Sequence, residues 1–173
     1  MDRRKPTLTA DAALAKIQRF CAYQERCHQE VRSKLLNIGV YGDTLESIMA
    51  TLVEEDFLNE ERFARSFARG KFRLKGWGRK RIVQELSQRH VSDYCIRKAL
   101  SEIDEESYRR SLRLLLEKRT ALLNIADPFV RRSRLAGYAI RLGYETELVR
   151  ETLDSLKDNS PDQDPGPGES RQL

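Results

Sequence analysis

Residues 34–40 read Lys34-Leu35-Leu36-Asn37-Ile38-Gly39-Val40, and this pattern returns twice along the chain. At 85–91 it is Glu85-Leu86-Ser87-Gln88-Arg89-His90-Val91, and at 138–144 it is Tyr138-Ala139-Ile140-Arg141-Leu142-Gly143-Tyr144. Each window closes one apolar helical period and precedes another: Ile48 and Leu52 follow the first, Ile96 and Leu100 the second, Val149 and Leu153 the third. Leu35 and Leu86 lie 51 residues apart, and Val91 and Tyr144 lie 53 apart. A recurrence of about 50 residues predicts tandem helical units, because a unit that small buries little surface alone and must share its core with neighbours.

Outward from these windows every segment has helical period. Helices are expected at 10–25, 28–38, 44–56, 60–75, 79–89, 93–103, 105–123, 128–142 and 146–157. The starts agree with this register. Asn59 is placed as an N-cap, with Leu58 and Phe63 at the positions of a hydrophobic staple. Val91 with Ile96, and Tyr144 with Val149, repeat that spacing. Asp43 with Glu46 reads as a capping box, and Asp127-Pro128 as an N-cap followed by proline at the first helical position. Gly39 and Gly143 stand at matching helix ends as left-handed caps, and His90 replaces them in the middle window.

The fold class expected is therefore all-α, a tandem array of three three-helix units of helix-turn-helix type, elongated and curved. The expected division is a flexible N-terminus (1–9), three units (10–58, 59–103 and 104–157) and a disordered tail (158–173). The tail carries three prolines and two glycines with almost no apolar residue, too little to offset ordering entropy.

Of 173 residues, 39% are hydrophobic and 34% charged, which suits solvated helices with one apolar face each. The net charge of +5 permits a nucleic-acid or acidic protein partner without requiring one. No segment approaches the ~20 apolar residues of a membrane span, and the first ten residues carry no signal-peptide core, so a cytosolic protein is expected. Cys21, Cys27 and Cys95 have no metal-like spacing, and Cys21 falls with Leu14 and Ile17 on an apolar face.

One segment stands out by charge. Between positions 62 and 81 the chain carries Arg62, Arg65, Arg69, Lys71, Arg73, Lys75, Arg79, Lys80 and Arg81, with no Asp or Glu. On a helical wheel Arg62, Arg65, Arg69 and Arg73 fall within about 80° of each other, opposite Phe63, Phe67, Gly70 and Leu74. Stacked like charges cost a few tenths of a kcal/mol per i,i+4 pair. Either an anionic partner or acidic groups from another helix must offset them. These nine residues are the candidate binding set, for an acidic protein surface or for phosphates. Phe72, off the main apolar face, is expected to pack on a neighbouring helix, and Trp77, between two glycines, to anchor two helices.

No nucleotide-binding, nucleophile-elbow or zinc-protease pattern is present, and the carboxylates sit at helix ends, where they suit capping. A non-enzyme without catalytic residues, cofactor or metal is expected.

The middle of the chain resembles the RecX family of recombination regulators. The resemblance is carried by Phe57-Leu58-Asn59-Glu60-Glu61-Arg62-Phe63-Ala64, by Lys75-Gly76-Trp77-Gly78-Arg79-Lys80-Arg81-Ile82 with Glu85-Leu86, and by residues 91–100, with Glu30-Val31-Arg32-Ser33-Lys34-Leu35 upstream. It covers roughly 15–156. The family usually has glycine where His90 stands, and the third unit is the least similar. The resemblance implies a protein that binds the RecA recombinase filament in its helical groove and inhibits strand exchange, ATP hydrolysis and coprotease activity; a monomer is expected for the free protein. Binding to single- or double-stranded DNA is the further implication. The alternative reading of the residues themselves is a direct nucleic-acid-binding protein of helix-turn-helix type.

Overall fold

The computed structural model describes residues 9–158; apart from Thr9, which caps the first helix, and Asp158, which ends the last, the expected flexible N-terminus and disordered tail lie outside the described residues. Among the described residues there are nine α-helices and no strand. They are α1 (Ala10–Tyr23), α2 (His28–Asn37), α3 (Gly42–Glu54), α4 (Glu60–Lys75), α5 (Arg79–Gln88), α6 (Asp93–Leu100), α7 (Glu105–Leu122), α8 (Pro128–Arg141) and α9 (Thr146–Asp158).

Local chemistry explains most of the starts. An N-cap oxygen satisfies amide groups that the first turn leaves orphaned. Asn59 accepts from the Arg62 N–H at 2.9 Å, and Asp104 from the Ser107 N–H at 2.9 Å. Asp127 accepts from Phe129 and Val130, with Pro128 opening the helix. The capping box expected at Asp43 and Glu46 does not form. Helix α3 begins at Gly42 after Tyr41, one residue ahead of Asp43, and Glu46 instead pairs with Arg32 of α2. A reach-back of that kind occurs at α2, where the Cys27 N–H donates to Glu30 Oε2 at 3.0 Å.

The three repeat windows share one geometry. The Val40 N–H donates to Leu35 O at 3.0 Å, Val91 to Leu86 O at 3.1 Å, and Tyr144 to Ala139 O at 3.2 Å. These are the long closing bonds of a Schellman turn, which requires a left-handed residue just before. Gly39, His90 and Gly143 supply it with φ of 86°, 57° and 96°. His90 adopts this conformation despite its Cβ, at a cost of roughly 1–2 kcal/mol.

Helix contacts are extensive among α1, α2 and α3, among α4, α5 and α6, and among α7, α8 and α9. The apolar side chains nevertheless form two cores, not three. Ile17, Leu35, Leu52 and Leu58 belong to the first, with other residues of α1–α3. The second is continuous from α4 to α9 and includes Ile82, Leu86, Tyr108, Leu112, Leu116 and Tyr144. Burying each such side chain contributes about 1.5–3 kcal/mol.

The boundary between the cores passes through the expected staple. Leu58 joins the first core and Phe63 the second, so this pair does not fasten one helix start. Val91 with Ile96, and Tyr144 with Val149, do lie in a common core. Cys27 crosses the other way: it precedes α2 yet is buried in the second core. The apolar face of α4 also differs from the wheel. Phe63, Ala64 and Ala68 are its buried residues, whereas Leu74 is 83% exposed.

Candidate partner-binding surface

Helix α4 runs from its Asn59 cap to Gly76, whose left-handed φ of 63° ends it and turns the chain toward α5. Of the nine basic residues expected to bind a partner, six lie on α4 and three on α5, and the structure divides them by what each already touches.

Three are joints within the protein. The Arg62 guanidinium donates to Glu25 Oε1 at 2.6 Å, to Asp56 Oδ2 at 2.8 Å and to the Asp56 carbonyl at 2.8 Å. It thereby ties α4 to the segment after α1 and to the turn after α3. Hydrogen bonds from Asn59 and the Arg62 charge hold the Asp56 carboxyl below its ordinary value. Arg65 pairs with Glu61 one turn earlier and with Glu102 beyond α6. Arg79 pairs with Glu105 at 2.9 Å, donates to Ile103 O at 3.2 Å, and lies 4.1 Å above the Tyr108 ring. Acidic groups from other elements offset this part of the arginine stripe, one of the two outcomes its charge pattern allowed.

The other six are open or only lightly held. Arg69 is exposed and 3.9 Å from Glu102. Arg73, Lys75 and Lys80 are exposed and no carboxylate among the described residues pairs with them. Lys71 lies over the Phe67 and Trp77 rings at 5.2 and 5.0 Å, and Arg81 lies over Trp77 at 4.1 Å. Trp77, half-buried against Phe67, is the anchor between α4 and α5, and both cations lie against its ring. Phe72 packs on Tyr108 of α7 at 5.9 Å.

Tertiary packing adds basic residues from outside that segment. Arg141 of α8 joins Lys80 and Arg81 in a groove of about 480 Å³ between α5 and the end of α8. Arg26, Lys34 and Arg89 border grooves between α1–α2 and α4–α5. A helical wheel cannot find these, since they come from separate elements: the turn after α1, α2, the end of α5 and the end of α8. Their signal is proximity, and that exists only after folding.

No group of three or more His, Cys, Asp or Glu suited to a metal occurs among the described residues, and no described helix is long and apolar enough to cross a membrane. Cys21, Cys27 and Cys95 are free and buried, and burial pushes their thiols above the ordinary value.

Comparison with known proteins places this arrangement. The family model for the second three-helix domain of RecX matches residues 59–100. The chain is 31% identical over 147 residues to the regulatory protein RecX of Prosthecochloris aestuarii, covering 85% of this chain and 95% of that one. It is 28% identical over 128 residues to the regulatory protein RecX of Amycolatopsis mediterranei, covering 74% and 73%. The crystal structure of RecX from Lactobacillus salivarius shares the fold with a TM-score of 0.77 at 19% identity, over 86% of this chain and 96% of that one.

Proposed function

Because the chain belongs to the RecX family, we propose that it is a cytoplasmic regulator, monomeric when free, that binds the RecA–DNA filament and inhibits its strand exchange, ATPase and coprotease activities. The observation that carries this reading is the match to a regulatory protein RecX over 95% of that relative's length. The charge distribution supports it. Arg69, Lys71, Arg73, Lys75, Lys80 and Arg81 remain available on α4 and α5, while Arg62, Arg65 and Arg79 hold the array together. These charges lie on the second triplet, and Arg26 and Lys34 before it and Arg141 after it add to them, so contacts to successive subunits of a polymer would act as one multivalent attachment. A bridge between neighbouring subunits restrains the relative motion that each ATP cycle demands, and a basic face beside the bound strand obstructs the entry of a second duplex.

The decisive measurement is a titration of purified protein into RecA strand-exchange and ATPase reactions, with binding to free single-stranded DNA followed in parallel. Saturable inhibition is expected at concentrations well below those that bind free DNA. Replacing Arg69, Arg73 and Lys75 with glutamine weakens inhibition by about tenfold or more without loss of helicity. Full inhibition by that variant excludes the basic face as the contact. Tight binding to free DNA, with a steep loss as salt rises and no effect on the filament, favours direct nucleic-acid binding instead.

A further inference from the structure

We propose that the junction between the first and second helix triplets is a docking groove for an acidic amphipathic helix of a protein partner. This rests on the reading of the chain as a regulator that acts through a protein, and not on which protein that is. Two grooves of roughly 390 and 490 Å³ adjoin there, with Glu30 and Arg89 standing on both.

The first has an apolar floor. Phe63, Phe67 and Leu74 line it, and Gly70 lies between them on the same helix. Leu74 is 83% exposed, an unusual place for leucine on a helix whose neighbouring turns are charged. A Cβ built at Gly70 meets nothing within 4 Å, so the glycine does not serve packing inside this chain. It opens a flat place where another helix can approach closely.

The rim is cationic. Lys71 and Lys75 border the first groove, and Arg26 and Lys34 the second. None of these four pairs with a carboxylate among the described residues; Arg26 and Lys34 instead lie over the Phe20 ring at 3.9 and 5.5 Å. The acidic residues of the grooves are already engaged. Glu25 holds Arg62, Glu30 accepts from the Cys27 N–H, and Glu85 holds Arg89. The groove therefore carries net positive charge around an apolar strip, because Glu30, held only by an amide, is outnumbered by Arg26, Lys34, Lys71 and Lys75. A helix with leucine-like anchors on one face and carboxylates beside them satisfies both. A nucleic-acid backbone satisfies the rim but leaves Leu74 without a partner.

The test is a fluorescence-anisotropy titration of the full chain with a labelled amphipathic helical peptide of leucine and glutamate, and with its glutamine counterpart. No RecA is present, so a failure of filament binding leaves the result intact. Saturable binding of the glutamate peptide is expected, at least about tenfold tighter than the glutamine peptide. Gly70→Leu, which fills the groove without altering charge, reduces the affinity by at least about tenfold while circular dichroism is unchanged. Should that variant not fold, the pair Lys71→Gln and Lys75→Gln carries the same expectation. Absence of saturable binding, or equal binding by wild type and the folded variants, overturns the proposal. A single-stranded oligonucleotide that displaces the peptide and is itself weakened by Gly70→Leu also overturns it, in favour of a nucleic-acid groove.

Discussion

Gly78 and Gly143 meet backbone to backbone, where the second triplet joins the third. The Gly78 N–H donates to Leu142 O at 2.7 Å, the Lys80 N–H to Gly143 O at 3.0 Å, and the Arg79 N–H to the Tyr108 hydroxyl at 3.0 Å. The start of α5 is thus capped by another unit instead of by a side chain of its own. A Cβ at Gly78 would stand 2.2 Å from the carbonyl carbon of Gly143, and one at Gly143 would stand 2.4 Å from Arg81 Cβ.

Gly78→Ala must therefore separate the two units. A loss of about 2–3 kcal/mol is expected, in the range for overpacking a closed site. Gly70→Ala, in an open place on a helix, is expected to add about 0.5–1 kcal/mol. Urea unfolding of the two variants checks both signs; equal midpoints for them would show that the junction yields freely.

Tyr108 and Tyr144 stack with ring centroids 5.0 Å apart, but their hydroxyls differ. Tyr108 accepts from the Arg79 N–H and donates to Glu145 at 2.8 Å, whereas the buried Tyr144 hydroxyl has no hydrogen-bond partner among the described residues. Tyr108→Phe is expected to cost about 1–2 kcal/mol, since it orphans a buried amide. Tyr144→Phe is expected to be neutral or to stabilise by up to about 1 kcal/mol, since it removes an unsatisfied polar group. Thermal unfolding distinguishes them.

The same tyrosines set an alkaline limit. Burial, helped by the Glu145 charge, pushes Tyr144 up to about 12, and burial pushes Tyr108 up as well. The unfolded chain releases these protons first, near pH ~10. Their contribution to stability is complete below that pH and declines as pH rises toward 12. Spectrophotometric titration is expected to show two tyrosines ionising late, together with the loss of helical signal. Ionisation of all six tyrosines near pH ~10 in the folded protein would contradict this burial.

Arg62 and Arg73 sit on one stripe of α4, Arg62 held by ion pairs within the chain and Arg73 exposed and assigned to the proposed contact. Arg62→Ala breaks two ion pairs and a bond to a carbonyl. A loss of about 1 kcal/mol is expected, given the partial exposure of the cluster, and less at high salt. Arg73→Ala changes stability by less than about 0.5 kcal/mol. In filament-binding assays the order reverses, with Arg73→Ala the more damaging. Denaturation and binding measured on the same two variants make the comparison.

Much of this architecture is local and could be read before folding. The pairs Leu35 with Val40, Leu86 with Val91 and Ala139 with Tyr144 announce the three turns by spacing alone. Asn59, Ser92, Asp104 and Asp127 cap the helices that follow them. The misread details all depend on distant partners. Glu46 left its box for Arg32 on another helix. Leu58 and Phe63 parted because two cores compete for them, and Leu74 stayed exposed because Phe63, Ala64 and Ala68 already supply the buried face of α4.

The chain by itself determined nine helices, their threefold recurrence and one concentrated basic segment, because periodicity and capping act over a few residues. Only the tertiary structure decided which cations are free. Arg62 meets Glu25 and Arg65 meets Glu102, each across 37 residues, a separation at which helical periodicity carries no information. Coulomb attraction depends on distance in space and not along the chain, so the open surface is what remains after those pairs have formed.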